Sequence, residues 1–238
     1  MNVDTENSVS PTPLPAPRAA LVLLAKEFRL EWRSRARINA TVFFSVLTLL
    51  LFSFAAGPRP KLLADSAPGY LWLALLFAST LALGESARVE SENEALEGLR
   101  LVPVYPGAIF LAKSMANTLF LGLLTLLVVP LAIALYDVSV AESPLALMGV
   151  MLLGCASIAA PGTFYATIAS RVRARDVLLP LLLFPIIVPG LIASVRATQL
   201  VLEGDAMGAL GSWTSLLVVF NVLYWTACTL LYGRVIEE

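Results

Sequence analysis

The chain contains no histidine and only two cysteines among its 238 residues, and only 14% of its residues are charged. Without histidine it lacks the commonest metal and haem-iron ligand and any imidazole-based acid–base chemistry. Cys155 and Cys228 lie in separate apolar stretches, which argues for helix packing rather than a disulfide or a zinc site. A typical soluble domain carries about a quarter charged residues, and this chain falls well short of that. The formal net charge of -1 says little, because the position of the charges matters here more than their sum; no nucleic-acid partner is expected. The first residues carry no basic start followed by an apolar run, so a cleaved leader is not expected. Residues 1–18, with prolines at 11, 13, 15 and 17, are expected to form a disordered tail.

What the chain has in abundance is apolar sequence, with 58% of its residues hydrophobic. Six stretches stand out: Asn39–Ala56, Leu62–Gly84, Gly107–Leu135, Pro144–Ser170, Val177–Val195 and Ser212–Tyr232. About 20 apolar residues are needed for a helix to cross the roughly 30 Å hydrocarbon core, and all six are near or above that length. The expected fold is therefore all-α and integral to a membrane, with six transmembrane helices over residues 39–238. No span carries paired carboxylates or a serine beside a base, so an intramembrane enzyme is not expected.

The basic residues fall on alternate connections. Twelve of the sixteen lie before the first stretch, between the second and third, between the fourth and fifth, or after the sixth. Only Arg59, Lys61 and Arg196 fall on the other side, and Lys113 sits inside the third stretch. The positive-inside rule then places both termini in the cytoplasm of a multi-pass inner (plasma) membrane protein.

Two features are expected on that side. Residues 19–38 form an amphipathic pattern, with Leu21, Leu24, Ala25, Phe28 and Trp32 at three- and four-residue steps and Lys26, Arg29, Arg33 and Arg37 mainly opposite. Such a helix lies in the interface plane against membrane lipid, either as an anchor alone or as an elbow that also touches a soluble subunit. The second feature is the stretch Glu85–Pro106, rich in acid at Glu85, Glu90, Glu92, Glu94 and Glu97, with Leu96, Leu99 and Val102 at helical spacing before Pro103. It reads equally as a short helix docking into a groove on another protein or as a solvated loop.

Polar and helix-breaking residues inside the spans each have two readings. Lys113 snorkels to the interface or takes part in transport. Asn117 and Asn221 hydrogen-bond between helices or line a path. Pro130, Pro161, Pro185 and Pro189 bend their helices, with Pro185 and Pro189 expected to interrupt the fifth span, either for flexing or as plain packing. Gly107, Lys113 and Ser114 fall one glycine short of a phosphate-binding loop. With no strand before them, they predict no ATP site.

These features in this order resemble ABC exporter permeases of the ABC-2 type, in which a first cytoplasmic segment reading like Leu-Glu-x-Leu-x-x-x-Pro-Val touches the ATPase. The matching residues here are Leu96, Glu97, Leu99, Pro103 and Val104. Within that group the chain is most similar to the haem exporter protein B family of cytochrome c maturation. Four segments carry the likeness: Leu24–Trp32, Leu111-Ala112-Lys113, Val129-Pro130-Leu131, and Leu183–Ile192 with its proline pair. The resemblance implies a subunit without its own catalytic or metal site, coupled through Glu90, Glu92, Glu94, Leu96, Glu97, Leu99 and Pro103 to a separate ATP-hydrolysing subunit. Phe28, Arg29, Trp32 and Arg33 would carry the interface helix, and Pro130, Pro185 and Pro189 the gating bends. It further implies a dimer or paired membrane subunits, other cytochrome c maturation subunits as neighbours, and haem as the substrate rather than a bound cofactor. Tyr70, Arg196 and Trp213 are candidate contacts for a planar, propionate-bearing ligand. An ABC-2 permease for a drug, lipid or polysaccharide, or a membrane scaffold, remains the alternative.

Overall fold

The computed structural model describes residues 24–26, 35–92, 105–140, 143–170, 172 and 175–237. Among the described residues six long helices follow one another: α1 (Arg35–Ala56), α2 (Pro60–Glu92), α3 (Pro106–Tyr136), α4 (Pro144–Ala169), α5 (Arg175–Glu203) and α6 (Leu210–Glu237). All six are long and apolar enough to cross a bilayer, and the described residues contain no strand.

The helix surfaces show which solvent they were built for. On α1, Thr41, Ser45 and Thr48 are buried, while Phe43, Leu51 and Phe54 are exposed. That is the inverse of a soluble amphipathic helix. The hydroxyls satisfy themselves on their own helix, Thr41 donating to the Arg37 carbonyl (2.8 Å) and Ser45 to that of Thr41 (2.7 Å). Without a hydrophobic drive between helices in lipid, small residues that admit close van der Waals contact do the packing. Ala67, Ala74 and Ala78 of α2, Ala159 and Ala160 of α4, and Ala193 and Ala197 of α5 fill this role, all buried. The helix α4 is central and touches α2, α3, α5 and α6. By contrast, α1 and α6 keep most of their surface open.

Helix ends follow local chemistry. Ser143 caps α4 by accepting from the Ala146 N–H (3.1 Å), with Pro144 at the first helical position. The Asp205 carboxylate accepts from the N–H groups of Ala209 and Leu210 at the start of α6. α3 ends at Asp137, whose φ of 52° is left-handed and whose N–H reaches the Ile133 carbonyl.

Several boundaries differ from the sequence expectation. The fifth span continues through Arg196 to Glu203, well past Val195, so Arg196 belongs to a helix and not to a connecting loop. The expected interruption at Pro185 and Pro189 is not seen, because α5 runs unbroken through Pro180, Pro185 and Pro189. Pro185 and Pro189 both sit on its exposed face. In hydrocarbon, moreover, a broken helix would leave backbone groups without partners. α2 also extends beyond Gly84 to Glu92, so the first part of the acidic stretch prolongs the span helix. Pro68 of α2 and Pro180 of α5 are further prolines inside helices.

Candidate functional site: a polar cluster near the chain termini

On one side of the bundle the helices end at Arg35 of α1, Glu92 of α2, Pro106 of α3, Ala169 of α4, Arg175 of α5 and Glu237 of α6. Just inside this end the bundle holds polar side chains at unusual depth. Arg37, Lys113, Ser114, Asn117, Thr163 and Thr167 are all buried.

Their geometry follows from helix spacing. Lys113 and Asn117 are four apart on α3, so they stack on one face. Arg37 of α1 donates from Nη2 to Asn117 Oδ1 (3.4 Å), and its guanidinium lies 5.0 Å over the Phe120 ring. Asn117 Nδ2 donates to Thr163 Oγ1 on α4 (2.9 Å), and Thr163 donates on to the Ala159 carbonyl (2.7 Å). One turn further, Thr167 Oγ1 lies 3.5 Å from the hydroxyl of Tyr232 on α6. Tyr232 in turn packs on Phe110 of α3, ring centroids 5.3 Å apart. Four helices are thus tied by hydrogen bonds and ring contacts in one layer. A buried amide or guanidinium is costly unless satisfied, so this layer specifies one arrangement of α1, α3, α4 and α6.

Sequence reasoning placed Arg37 on a lipid-facing polar surface and gave Lys113 either a snorkelling or a transport role. Both side chains are buried in the bundle, and Arg37 finds its partners, Asn117 and Phe120, on another helix. Asn117 and Asn221 do hydrogen-bond between helices: Asn221 Nδ2 reaches the Leu153 carbonyl of α4 at 3.0 Å. Thr163, Thr167 and Tyr232 carried no sequence signal beyond ordinary hydroxyls in apolar runs.

At the same end, Glu85 and Arg88 of α2 form an ion pair. Glu90 and Glu92 fall in the last turns of α2, which lead directly toward the remaining acidic residues. Glu94, Leu96, Glu97, Leu99 and Pro103, and likewise Phe28, Arg29, Trp32 and Arg33, lie outside the described residues. Pro130 lies on the exposed face of α3 and lines a shallow apolar groove against α4.

The structure does not assemble Tyr70, Arg196 and Trp213. Tyr70 stacks on Phe52 of α1, ring centroids 4.6 Å apart, and Trp213 packs against the main core. Arg196 instead edges a groove between α2 and α5. Among the described residues no group of three or more histidine, cysteine or carboxylate side chains is placed to hold a metal ion, and both cysteines are free and buried.

An all-helical bundle with six membrane-length helices and polar residues turned inward among the described residues defines a polytopic membrane protein. A family model described as "CcmB protein" matches residues 18–233, and the chain belongs to that family. It is 34% identical to the heme exporter protein B of Pseudomonas aeruginosa over 184 residues, which is 77% of this chain and 82% of that one. It is 31% identical to the protein of the same name from Rhodobacter capsulatus over 185 residues, covering 78% and 84% of the two chains. Against the heme exporter protein B of Escherichia coli K12 it is 39% identical over 97 residues, 41% of this chain and 44% of that one.

Proposed function

We propose that this chain is the membrane permease subunit of an ABC-type complex that exports haem, or hands it over, for cytochrome c biogenesis. The observation that carries this reading is similarity over most of the chain: the family match runs from residue 18 to residue 233, and relatives aligned over most of their length are named heme exporter protein B. The orientation follows from the basic residues, which favour both termini in the cytoplasm of the inner membrane.

In this reading ATP is hydrolysed by a separate subunit that docks on residues 90–103. Glu90, Glu92, Glu94 and Glu97 supply charge, Leu96 and Leu99 the apolar contact, and Pro103 the stop. Residues 19–34, with Phe28, Arg29, Trp32 and Arg33, lie along the interface as an elbow before α1 begins at Arg35. A push on the docking segment reaches α2 and α3, since α2 runs unbroken up to Glu92 and α3 begins at Pro106. The polar layer of Arg37, Asn117 and Thr163 passes the movement to α1 and α4. Pro130, Pro185 and Pro189 mark where α3 and α5 bend. The open faces of α1 and α6 suit a second copy or other maturation subunits beside them. Haem is cargo: with no histidine in the chain, its iron is carried without imidazole from this subunit.

The test is charge reversal. Glu94→Lys with Glu97→Lys should release the ATPase from purified membranes while this chain still inserts. ATPase that stays bound would defeat the docking assignment.

A further inference from the structure

A groove of about 410 Å³ opens between α2 and α5, lined by Gly69, Trp72, Leu73, Leu191, Ile192, Val195 and Arg196. Its floor is fixed, because Trp72 is fully buried and its Nε1 donates to Thr198 Oγ1 at 2.9 Å. Its opening lies beside Gly69, where a Cβ would meet nothing within 4 Å.

Arg196 stands at the edge of this groove at an awkward depth. It lies seven residues before Glu203, the end of α5, hence about 10 Å along the helix at roughly 1.5 Å per residue. The 29 residues of α5 span about 43 Å against a hydrocarbon core of roughly 30 Å. With the overhang shared between the two ends, Arg196 is rooted a few ångströms inside the hydrocarbon edge. Its side chain is exposed, and its hydrogen bond goes to a neutral amide, Gln199 Oε1, at 3.0 Å. Glu203 is reached only through Gln199, whose Nε2 donates to it at 3.0 Å. A cation rooted there carries its head toward the interface, where lipid phosphates are the anions within reach.

The lining decides which anion. Haem iron in proteins is held by His, Cys, Met or Tyr, and the groove wall offers none of these. It offers an apolar slot of aliphatic side chains and one indole, with a single guanidinium at its edge, which matches a lipid that carries an acyl chain and a headgroup phosphate. We propose that this groove binds an anionic phospholipid of the leaflet opposite the chain termini, with an acyl chain along Trp72 and Leu191 and the headgroup phosphate on Arg196.

The experiment is native mass spectrometry of the full complex extracted from its own membranes in mild detergent. Wild type should retain phospholipid. Arg196→Gln should lower retention on the order of tenfold, as loss of one charge-assisted hydrogen bond implies. Gly69→Leu, which fills the slot and leaves the arginine in place, should lower it similarly. Arg196→Lys should retain a measurable share, and Arg59→Gln, on the connection between α1 and α2, should match wild type. Should Arg196→Gln not assemble, loss in Gly69→Leu with retention in Arg196→Lys supports the site, and the converse overturns it. Undiminished phospholipid in both Arg196→Gln and Gly69→Leu overturns it, as does haem as the molecule retained by wild type and lost from Arg196→Gln.

Discussion

Gly154 of α4 lies directly beneath the indole of Trp72 on α2, so closely that a methyl group there would sit 2.0 Å from Cη2 and 2.8 Å from Ser194 Oγ of α5. Three helices meet at this point because one residue has no side chain. Gly154→Ala must displace a fully buried ring and is expected to destabilise the protein by about 1–3 kcal/mol, as overpacking does. Thermal unfolding in detergent checks this, and an unchanged midpoint would contradict it.

Trp72 depends equally on its partner across the groove. Thr198→Val keeps the shape of the side chain and removes the acceptor of the Trp72 N–H. A buried donor left unpaired should cost about 1–3 kcal/mol. The Trp72→Phe, Thr198→Val double variant should recover much of that loss, since it no longer buries the donor. A double-mutant cycle on unfolding midpoints measures the coupling.

Asn117→Leu severs Arg37 from Thr163 and should leave insertion intact while lowering stability by about 0.5–2 kcal/mol. If the polar layer transmits movement, holocytochrome c yield should fall further than the amount of folded protein does. Asn221→Leu, which removes an interhelical bond to the Leu153 carbonyl away from that layer, should lower stability without the additional loss of yield. Equal yield per folded molecule in the two variants would leave Asn117 a packing residue only.

Pro189→Ala restores a backbone N–H to an outward-facing position of an unbroken helix. It should stabilise the protein or leave it unchanged, because the ring is exposed and a helix hydrogen bond is gained. In a helix that must bend during turnover the same variant should lower holocytochrome c yield. Stability and yield moving down together would point instead to a packing role for the ring.

Tyr136→Phe removes the hydroxyl that donates to the Leu49 carbonyl at 2.8 Å, joining the end of α3 to α1. The expected loss is about 0.5–1.5 kcal/mol, read as a lower unfolding midpoint.

Composition and periodicity alone determined that the chain crosses a membrane six times, and they placed most span limits within a few residues, because bilayer thickness imposes one length on every crossing. They also marked Asn117 and Asn221 as partners between helices, since an amide in hydrocarbon must find one. What only the tertiary structure decided is where the cations go. Arg37 and Lys113 look like interface residues when α1 and α3 are considered singly. Both are interior residues in the assembled bundle, and Arg37 is met there by Asn117 and Phe120 of α3. Arg196 moved the opposite way, from a supposed loop to an exposed turn of α5, because Ala197 and Thr198 beside it are buried against the bundle and hold that turn helical. Burial of a charge depends on groups far away in the chain, and no local pattern encodes their arrival.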